Sequence, residues 1–270
     1  MRHQMKRIFL SADMEGTCGI VHWEETGKNK PDYTPFARQM TKEAAAACEG
    51  AILGGAAEIL VKDAHDSARN ILTEELPEQA RIFRGWAENP LSMMAGLVES
   101  FSGVFFTGYH SAAGINGNPL SHTMNTKNIF VKINGELASE LLINSLAAAM
   151  LKVPVLLVTG DRALCDWITS VNPNILTVPV NEGTGKGAVS IHPNVAVRRI
   201  REAAQKAMAL DGSRCMFPLP GHFAVEICYR DHAAAYSNSF YPGCVQTDAR
   251  TVRFEADDYM EVLRFFHFCL

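Results

Sequence analysis

The chain has 270 residues, of which 47% are hydrophobic and 20% charged, which is the composition of a folded protein with a sizeable core. Its formal net charge of −4 at pH 7 gives no basic surface, so nucleic-acid binding is disfavoured. No apolar stretch approaches the roughly 20 residues that a membrane span needs. The apolar run after the basic start is also too short for a signal peptide. We therefore expect a cytoplasmic protein without a membrane partner.

The first part of the chain alternates predicted strands with predicted helices. An apolar strand from residue 8 ends at an acidic pair, and further strands are predicted at residues 58–63, 81–84, 103–109, 129–133 and 153–159. Helices are predicted at residues 35–53, 91–100 and 136–151. This alternation is typical of an α/β fold with a mostly parallel sheet flanked by helices.

The pattern changes after Pro179. The glycine-rich residues 181–188 predict a loop, and residues 193–210 predict an amphipathic helix. Strands at 223–229 and 249–254 and a helix from residue 257 complete the chain. We therefore predict two domains: residues 1–181 form the α/β domain that carries the candidate site, and residues 182–270 form a smaller C-terminal α+β subdomain.

The seven cysteines are scattered and contain no Cys-x-x-Cys pair. An odd, scattered set indicates neither a disulfide framework nor a thiolate zinc site. We expect these residues to be free thiols of the core.

The acidic pair is Asp13 and Glu15, and it follows the first strand directly. Because strand side chains alternate, both acids are expected on the same side. Two neighbouring carboxylates raise each other's pKa unless a cation lies between them, so the pair suggests a metal site. An acidic turn after an edge strand is the simpler alternative.

Histidines follow two other predicted strands. His65 comes after residues 58–63 and His110 after residues 103–109. The carboxyl ends of parallel strands meet at one edge, so both histidines are expected near Asp13 and Glu15. Carboxylates and imidazoles are the ligands of hydrolytic zinc sites, and two ions would explain the number of acids. Taken singly, each histidine could equally be an ordinary hydrogen-bonded imidazole.

Three more residues are candidates from their positions. His122 lies in a loop between two hydroxyl residues, where it could transfer a proton, hold an oxyanion, or simply face solvent. Glu136 and Glu140 are one turn apart on the predicted helix, so either could face the sheet edge. Spacing alone does not choose between them, and either could be an exposed first-turn glutamate that favours the helix dipole.

The segments around these candidates resemble the D-aminopeptidase family typified by the DppA peptidase of the dipeptide-transport operon, a family of cytoplasmic two-zinc metallopeptidases. The resemblance begins with Ser-Ala-Asp-Met-Glu-Gly at residues 11–16 and runs in order through nearly the whole chain. The other matching segments are Asp63-Ala64-His65, Gly108-Tyr109-His110, Ser121-His122-Thr123-Met124, Ser139-Glu140-Leu141, Gly160-Asp161-Arg162 and Val225-Glu226.

The resemblance implies a role for each candidate residue. Asp13 would bridge two zinc ions, with Glu15 and His65 completing one site and His110 and Glu140 the other, whereas Glu136 would not be a ligand. His122 would be the catalytic residue, for which we favour proton transfer or stabilisation of the intermediate. Two departures are the segment from His110 to His122, about one residue longer than the family's, and Ser139 where a glycine is usual.

The resemblance also implies the activity and the assembly. The expected reaction is hydrolysis of short peptides with an N-terminal D-amino acid, such as D-Ala-D-Ala, by metal-activated water. The family's ring of ten subunits implies a homodecamer. Two alternatives remain: a two-metal amidase or phosphoesterase for another small molecule, and a peptide-binding protein without catalysis. The glycine-rich residues 181–187 are only a weak phosphate-binding candidate.

Overall fold

The computed structural model describes residues 6–270 and contains two β-sheets. The strands are β1 (Lys6–Ala12), β2 (Ala56–Asp63), β3 (Ala80–Phe83), β4 (Gly103–Tyr109), β5 (Asn128–Ile133), β6 (Glu136–Leu137), β7 (Val155–Asp161), β8 (Leu176–Thr184), β9 (Gly187–Ser190), β10 (Phe223–Tyr229), β11 (Val245–Gln246) and β12 (Thr251–Ala256). The helices are α1 (Tyr33–Leu53), α2 (Glu140–Met150), α3 (Arg162–Val171), α4 (Pro193–Ala207), α5 (His232–Asn238) and α6 (Tyr259–Cys269).

The larger sheet has seven strands in the order β3-β2-β1-β4-β7-β8-β9, and every neighbouring pair except β8–β9 is parallel. Its central strands β4 and β7 are buried along their whole length, in agreement with their mostly apolar sequences. Helices α1 and α4 pack on each other and on the sheet, and α2 packs between β4 and α6. The predicted α/β fold with a mostly parallel, helix-flanked sheet is therefore confirmed.

The second sheet is antiparallel, with five strands in the order β11-β12-β10-β5-β6. It takes β5 and β6 from residues 128–137, while β8 and β9 of the larger sheet extend to residue 190. Each sheet thus contains strands from both sides of the predicted boundary at residue 181, and the division into two domains stays a prediction.

Two predicted helices differ from the structure. Residues 91–100 contain only a single 3₁₀ turn at Ser92–Met94, because Ser92 and Gly96 adopt positive φ angles of 47° and 99°, which end a helix. The helix predicted from residue 136 begins at Glu140 instead. Asn134 and Gly135, with φ angles of 52° and 84°, form the tight turn between β5 and β6 that holds residue 136 in a strand.

Other differences concern the middle of the chain. The loop predicted at residues 181–188 is the hairpin that joins β8 to β9, and it turns at Gly185 with φ at 59°. Helices α3 and α5 were not predicted. As expected, the seven cysteines are free, and all except Cys244 are buried. Within residues 6–270, none of the helices has the length and apolar character needed to cross a bilayer.

Candidate metal centre and active site

The candidate residues meet at the carboxyl edge of the larger sheet. Strand β1 lies between β2 and β4, so the segments after these three strands are neighbours. Asp13 follows β1, His65 follows β2 and His110 follows β4. The chain adds β2 and β3 on one side of β1 and then β4, β7 and β8 on the other, so the strand order reverses between β1 and β4. Open α/β sheets bind ligands at such a point. The structure therefore brings Asp13, Glu15, His65 and His110 to one edge of the sheet, as predicted.

Strand alternation is not the reason why Asp13 and Glu15 converge. Strand β1 ends at Ala12, and the next residues form a turn pressed against the end of β4. The Asp13 N–H donates to the carbonyl of Thr107 and the Gly16 N–H to that of Gly108, both at 2.8 Å. The turn and its contacts with β4, rather than the pleat of β1, direct the two carboxylates.

Glycine permits this close approach of the two chain segments. A Cβ on Gly16 would lie 1.8 Å from the carbonyl oxygen of Tyr109. Gly108 adopts a φ of 70°, and its Cβ would lie 2.2 Å from the carbonyl oxygen of Asp13. Both positions therefore require glycine.

Asp13 lies at the centre of the candidate site. Its Oδ1 is 3.4 Å from Nδ1 of His65, and its Oδ2 is 3.4 Å from Nε2 of His110. Glu15 Oε2 lies 3.0 Å from the same nitrogen of His65. Glu140 Oε2 lies 3.5 Å from the same nitrogen of His110. Each histidine thus faces one oxygen of Asp13 and one oxygen of a glutamate.

Glu140 reaches this edge from the first turn of α2, whose N-cap Ser139 accepts a hydrogen bond from the Leu142 N–H. The second carboxylate oxygen of Glu140, Oε1, accepts a hydrogen bond from the Met124 N–H at 2.7 Å. Glu136 lies elsewhere: it is exposed on β6 and accepts a hydrogen bond from the Trp167 indole. The structure therefore brings Glu140, and not Glu136, to the cluster.

Each histidine of the cluster has one ring nitrogen fixed by a backbone carbonyl. The pairs are His65 Nε2 with Thr26 at 2.9 Å, His110 Nδ1 with Ser111 at 3.0 Å and His122 Nδ1 with Leu120 at 2.9 Å. Because a carbonyl only accepts, these nitrogens carry the hydrogen in the neutral imidazoles. The other nitrogen of each ring keeps its lone pair and faces the carboxylates. This is the usual arrangement around histidines that bind metals.

His122 lies on the cavity side of the cluster. Its ring stacks on His110 with centroids 4.3 Å apart, and Trp23 packs edge-on against it at 5.2 Å. Its Nε2 is 3.6 Å from Glu140 Oε1 and 4.0 Å from Glu15 Oε1. His122 is therefore held between the two glutamates.

The donor set fits a metal centre. Asp13 Oδ2, Glu15 Oε2 and His110 Nε2 are buried and have no hydrogen-bond partner, which is costly for groups of this polarity. Atoms that lie about 2.0 to 2.1 Å from a tetrahedral zinc ion are about 3.3 Å from one another. The histidine-to-carboxylate distances of 3.0, 3.4, 3.4 and 3.5 Å agree with that spacing.

Burial and mutual repulsion act strongly on the acids. Burial, together with the charges of Glu15 and Glu140, raises the pKa of Asp13 well above its usual value. Burial also opposes ionisation of Glu15, but His65 outweighs it and holds the Glu15 pKa well below the usual value. In the same way, His110 outweighs burial and lowers the pKa of Glu140 to about 2.

The histidines respond in the opposite direction. Burial disfavours the imidazolium, but Glu15 and Asp13 raise the pKa of His65 well above its usual value. Glu140 and Asp13 do the same for His110. The cluster therefore attracts positive charge, which is the electrostatic property that a cation site needs.

Polar residues around the cluster hold its members in place, and sequence reasoning did not identify them as such. Asp63 accepts hydrogen bonds from Asn70, whose side chain also donates to the carbonyl of His65. Asp161 accepts from the N–H and hydroxyl of Ser111, whose carbonyl holds His110. The sequence placed Asp161 in a matching motif but gave no signal for its contact.

A cavity of about 590 Å³ opens in front of the cluster. Trp23 and Trp86 line it together with Asp66, Met93 and Met124. Trp86 is positioned by the buried Lys62, whose ammonium lies 4.4 Å from the indole centroid and donates to the carbonyl of Gly85. Burial lowers the pKa of Lys62 to about 8. A small polar molecule can therefore reach the carboxylates between aromatic walls.

An α/β sheet whose carboxyl edge carries paired histidine and carboxylate groups around one shared aspartate is typical of two-metal hydrolases. The family model described as D-aminopeptidase matches residues 5–268, and the chain belongs to this family. It is an enzyme, a hydrolase of peptide bonds. The predicted family resemblance is thus confirmed.

The individual relatives agree with this assignment. The chain is 31% identical to a D-aminopeptidase of Bacillus subtilis (strain 168) in an alignment of 259 residues, and the match covers 94% of this chain and 93% of that protein. It also matches the solved structure of the Zn-dependent D-aminopeptidase DppA from Bacillus subtilis, described as a self-compartmentalizing protease. That match has a TM-score of 0.88 at 28% identity and covers 96% of this chain and 95% of the other.

Proposed function

We propose that this chain is a zinc-dependent D-aminopeptidase that hydrolyses short peptides with an N-terminal D-amino acid, of the D-Ala-D-Ala type. Family membership supports the reaction class, and the relative named Zn-dependent supports the metal. The buried carboxylate and imidazole donors at zinc-like spacing support it independently.

The observation that carries the proposal is the position of Asp13. Its two oxygens face two different histidines at equal distances of 3.4 Å, as a carboxylate shared by two cations requires. We therefore assign Asp13 as the bridge between two zinc ions. Glu15 and His65 complete the first site, and His110 and Glu140 complete the second.

A different grouping would make His122 a ligand, because His110, His122 and Glu140 also offer three atoms within 4.8 Å of one another. The two oxygens of Glu140 argue against it. Oε1, the oxygen nearer to His122, already accepts the Met124 N–H, whereas Oε2 faces His110 and has no such partner. Asp13, His110 and Glu140 would therefore hold the second ion, and His122 would remain free to act on the substrate.

When bound, the metal pair supplies a Lewis acid and an activated water for attack on the scissile carbonyl. The protein's own residues supply position and proton transfer. His122, with Nδ1–H bonded to Leu120, presents the lone pair of Nε2 towards the cavity, where it can take up the proton that the attacking water releases. The resulting imidazolium can then stabilise the tetrahedral species or pass that proton to the leaving amine. Asp66 lines the cavity beside His65 and suits the substrate's ammonium group. Trp23 and Trp86 form aromatic walls of the cavity beside the reacting bond.

Substitution of His122 tests this role. We expect His122→Ala to retain both zinc ions and to lose most of its turnover, about 100-fold or more. His232→Ala, at an exposed histidine on α5, is the matched control and should keep wild-type activity. Unchanged turnover of the His122 variant would remove the residue from the mechanism.

The substrate class is tested with matched pairs of L- and D-dipeptides, their amides and a phosphate monoester, all with zinc present. We expect turnover of D-Ala-D-Ala to exceed that of L-Ala-L-Ala. Turnover of L-peptides alone would contradict D-specificity, and turnover of the phosphate ester alone would make the chain a phosphoesterase. A protein that binds no zinc and gains no stability from it would instead be a peptide-binding protein.

We also propose that the chain assembles into a homo-oligomer, a decamer as the family resemblance implies. The self-compartmentalizing relative supports this, as do three exposed aromatic residues near the C-terminal helix, Tyr236, Phe240 and Phe268. Light scattering should give ten times the chain mass of 29.6 kDa, and a monomer would contradict the assembly. The cytoplasmic location stays a prediction.

A further inference from the structure

A second cavity lies next to the metal centre, on the far side of His122. It has a volume of about 310 Å³ and shares Trp23, His122 and Thr126 with the main cavity. His122 is the residue assigned to the leaving amine, so the part of the substrate beyond the scissile bond lies towards this second cavity. What lines the second cavity therefore bears on the carboxyl-terminal side of the substrate.

Arg230 is the cationic side chain that lines this cavity. It directly follows β10, and its backbone N–H donates to the carbonyl of Lys127 at 2.9 Å. Its Nε donates to the carbonyl of Thr126 at 2.8 Å, which fixes the guanidinium beside the loop that carries His122. Among residues 6–270, no carboxylate lies within 4.0 Å of this guanidinium. Its two Nη groups therefore remain available for an anion.

Asn128 supplies an independent observation in the same cavity. The residue is buried, and its Oδ1 has no hydrogen-bond partner, whereas its Nδ2 donates to the carbonyl of Thr123. A buried amide oxygen without a partner is costly. The cavity thus offers a cation for a terminus, beside a buried amide whose oxygen lacks a donor.

We propose that Arg230 binds the free α-carboxylate of the substrate, which makes the enzyme selective for short peptides with an unmodified carboxyl terminus. This inference rests on the proposed peptidase function and extends it to the other end of the substrate. A planar guanidinium binds a carboxylate with two parallel hydrogen bonds.

The test compares each peptide acid with its C-terminal amide, for di-, tri- and tetrapeptides, in the zinc-loaded wild type and in Arg230 variants. Arg230→Gln removes the charge but keeps an N–H donor for the carbonyl of Thr126. Arg230→Lys keeps the charge but lacks the planar pair of N–H groups that a carboxylate can bind. At one peptide length we expect Arg230→Gln to raise KM for the acid about tenfold and leave kcat and the amide unchanged. The KM of Arg230→Lys for the acid should lie between those of the wild type and Arg230→Gln. Arg250→Gln, at an exposed arginine, is the control.

Two results would overturn the proposal. If the ratio of kcat/KM for the acid to kcat/KM for the amide is the same in the Arg230 variants as in the wild type at every peptide length, Arg230 does not bind the carboxyl terminus. An equal loss for acid and amide would show that Arg230 acts only by holding Thr126. The ratio is measured on whichever stereoisomer the wild type cleaves, so a preference for L-peptides would overturn D-specificity alone. Absence of all peptide turnover would overturn both proposals.

Discussion

The two halves of the candidate metal centre share Asp13 but belong to different parts of the fold. In the first half, Glu15 and His65 come from segments that directly follow neighbouring strands of the larger sheet. In the second half, His110 also follows such a strand, but Glu140 is the first residue of α2. The residues of the first half therefore all come from the sheet edge, whereas the second half also needs a helix to dock correctly.

The contacts behind each half differ in the same way. Asn70 holds His65 from the segment after β2, and Glu43 of α1 accepts the Cys18 N–H at the end of the Asp13 turn. Behind the second half, Asp161 reaches His110 through Ser111, and Met124 binds Glu140. Since Met124 is two residues from His122, the second half is coupled to the loop that meets the substrate.

The largest effect should come from a change that both halves share. Gly16→Ala would place a Cβ 1.8 Å from the carbonyl of Tyr109, so the Asp13 turn cannot close against β4. We expect a loss of more than about 4 kcal/mol of folding stability, or no soluble protein. Gly221→Ala, where a Cβ meets nothing within 4 Å, is the control. Thermal unfolding of both variants measures the difference, and a fully stable Gly16→Ala protein would refute this description of the turn.

Asp161→Ala should damage the second half selectively. It removes the bonds to Ser111 and the N-cap of α3, and it should cost about 3 kcal/mol of stability. We expect the second zinc site to weaken by about 10- to 100-fold, with the first site retained. Asp166→Ala, exposed on the same helix, should change neither quantity. Chemical denaturation and a zinc titration measure both, and equal weakening of the two sites would contradict the selectivity.

Asn70→Ala is the corresponding change in the first half. It removes the side-chain bonds to Asp63 and to the carbonyl of His65, for an expected loss of about 2 kcal/mol. The first zinc site should weaken and the second should not. Asn29→Ala, at an exposed asparagine, serves as the reference for both measurements. If Asn70→Ala instead weakened the second site, the separation of the two halves would be wrong.

Glu43→Gln should have the narrowest effect, because it is confined to one pH range. Burial raises the pKa of Glu43 from 4.5 to about 7, so the folded protein holds a proton that the unfolded chain releases. Stability contributed by that proton is present below about pH 4.5 and is lost as the pH rises through about 7. The neutral glutamine avoids this loss.

We therefore expect the folding stability of Glu43→Gln to exceed that of the wild type by about 3 kcal/mol at pH 8 and to match it near pH 4.5. Urea denaturation with a chelator present gives both values without interference from metal binding. Glu202→Gln, at an exposed glutamate, should follow the wild type at both pH values. A variant that is equally more stable at both values would exclude titration of Glu43 as the cause.

Much of the fold and of the candidate site was predictable because it follows from local sequence. Apolar runs identify β1, β2, β4 and β7, and the ends of parallel strands share one edge, so Asp13, His65 and His110 could be brought together. Glu140 could not, because the helix was predicted four residues too early. Asn134-Gly135 is a strong hairpin signal that separates Glu136 from α2, and it was overlooked.

The supporting contacts could not be predicted from any local pattern. Asp161 reaches Ser111 across 50 residues, and Arg230 reaches Thr126 across 104 residues. Such pairs depend on which strands become neighbours within a sheet, here β4 with β7 and β5 with β10, and the spacing of residues along one strand or helix does not encode that. Sequence reasoning therefore identified the residues at the centre of the site better than those that hold them.

The most direct test of the shared role of Asp13 is the zinc content per chain of three variants, measured by native mass spectrometry. We predict that Asp13→Ala loses both zinc ions, whereas Glu15→Ala and Glu140→Ala each lose one and keep the other. An Asp13→Ala protein that keeps one fully bound zinc ion, or a Glu15→Ala protein that loses both, would contradict a centre in which Asp13 is the bridge.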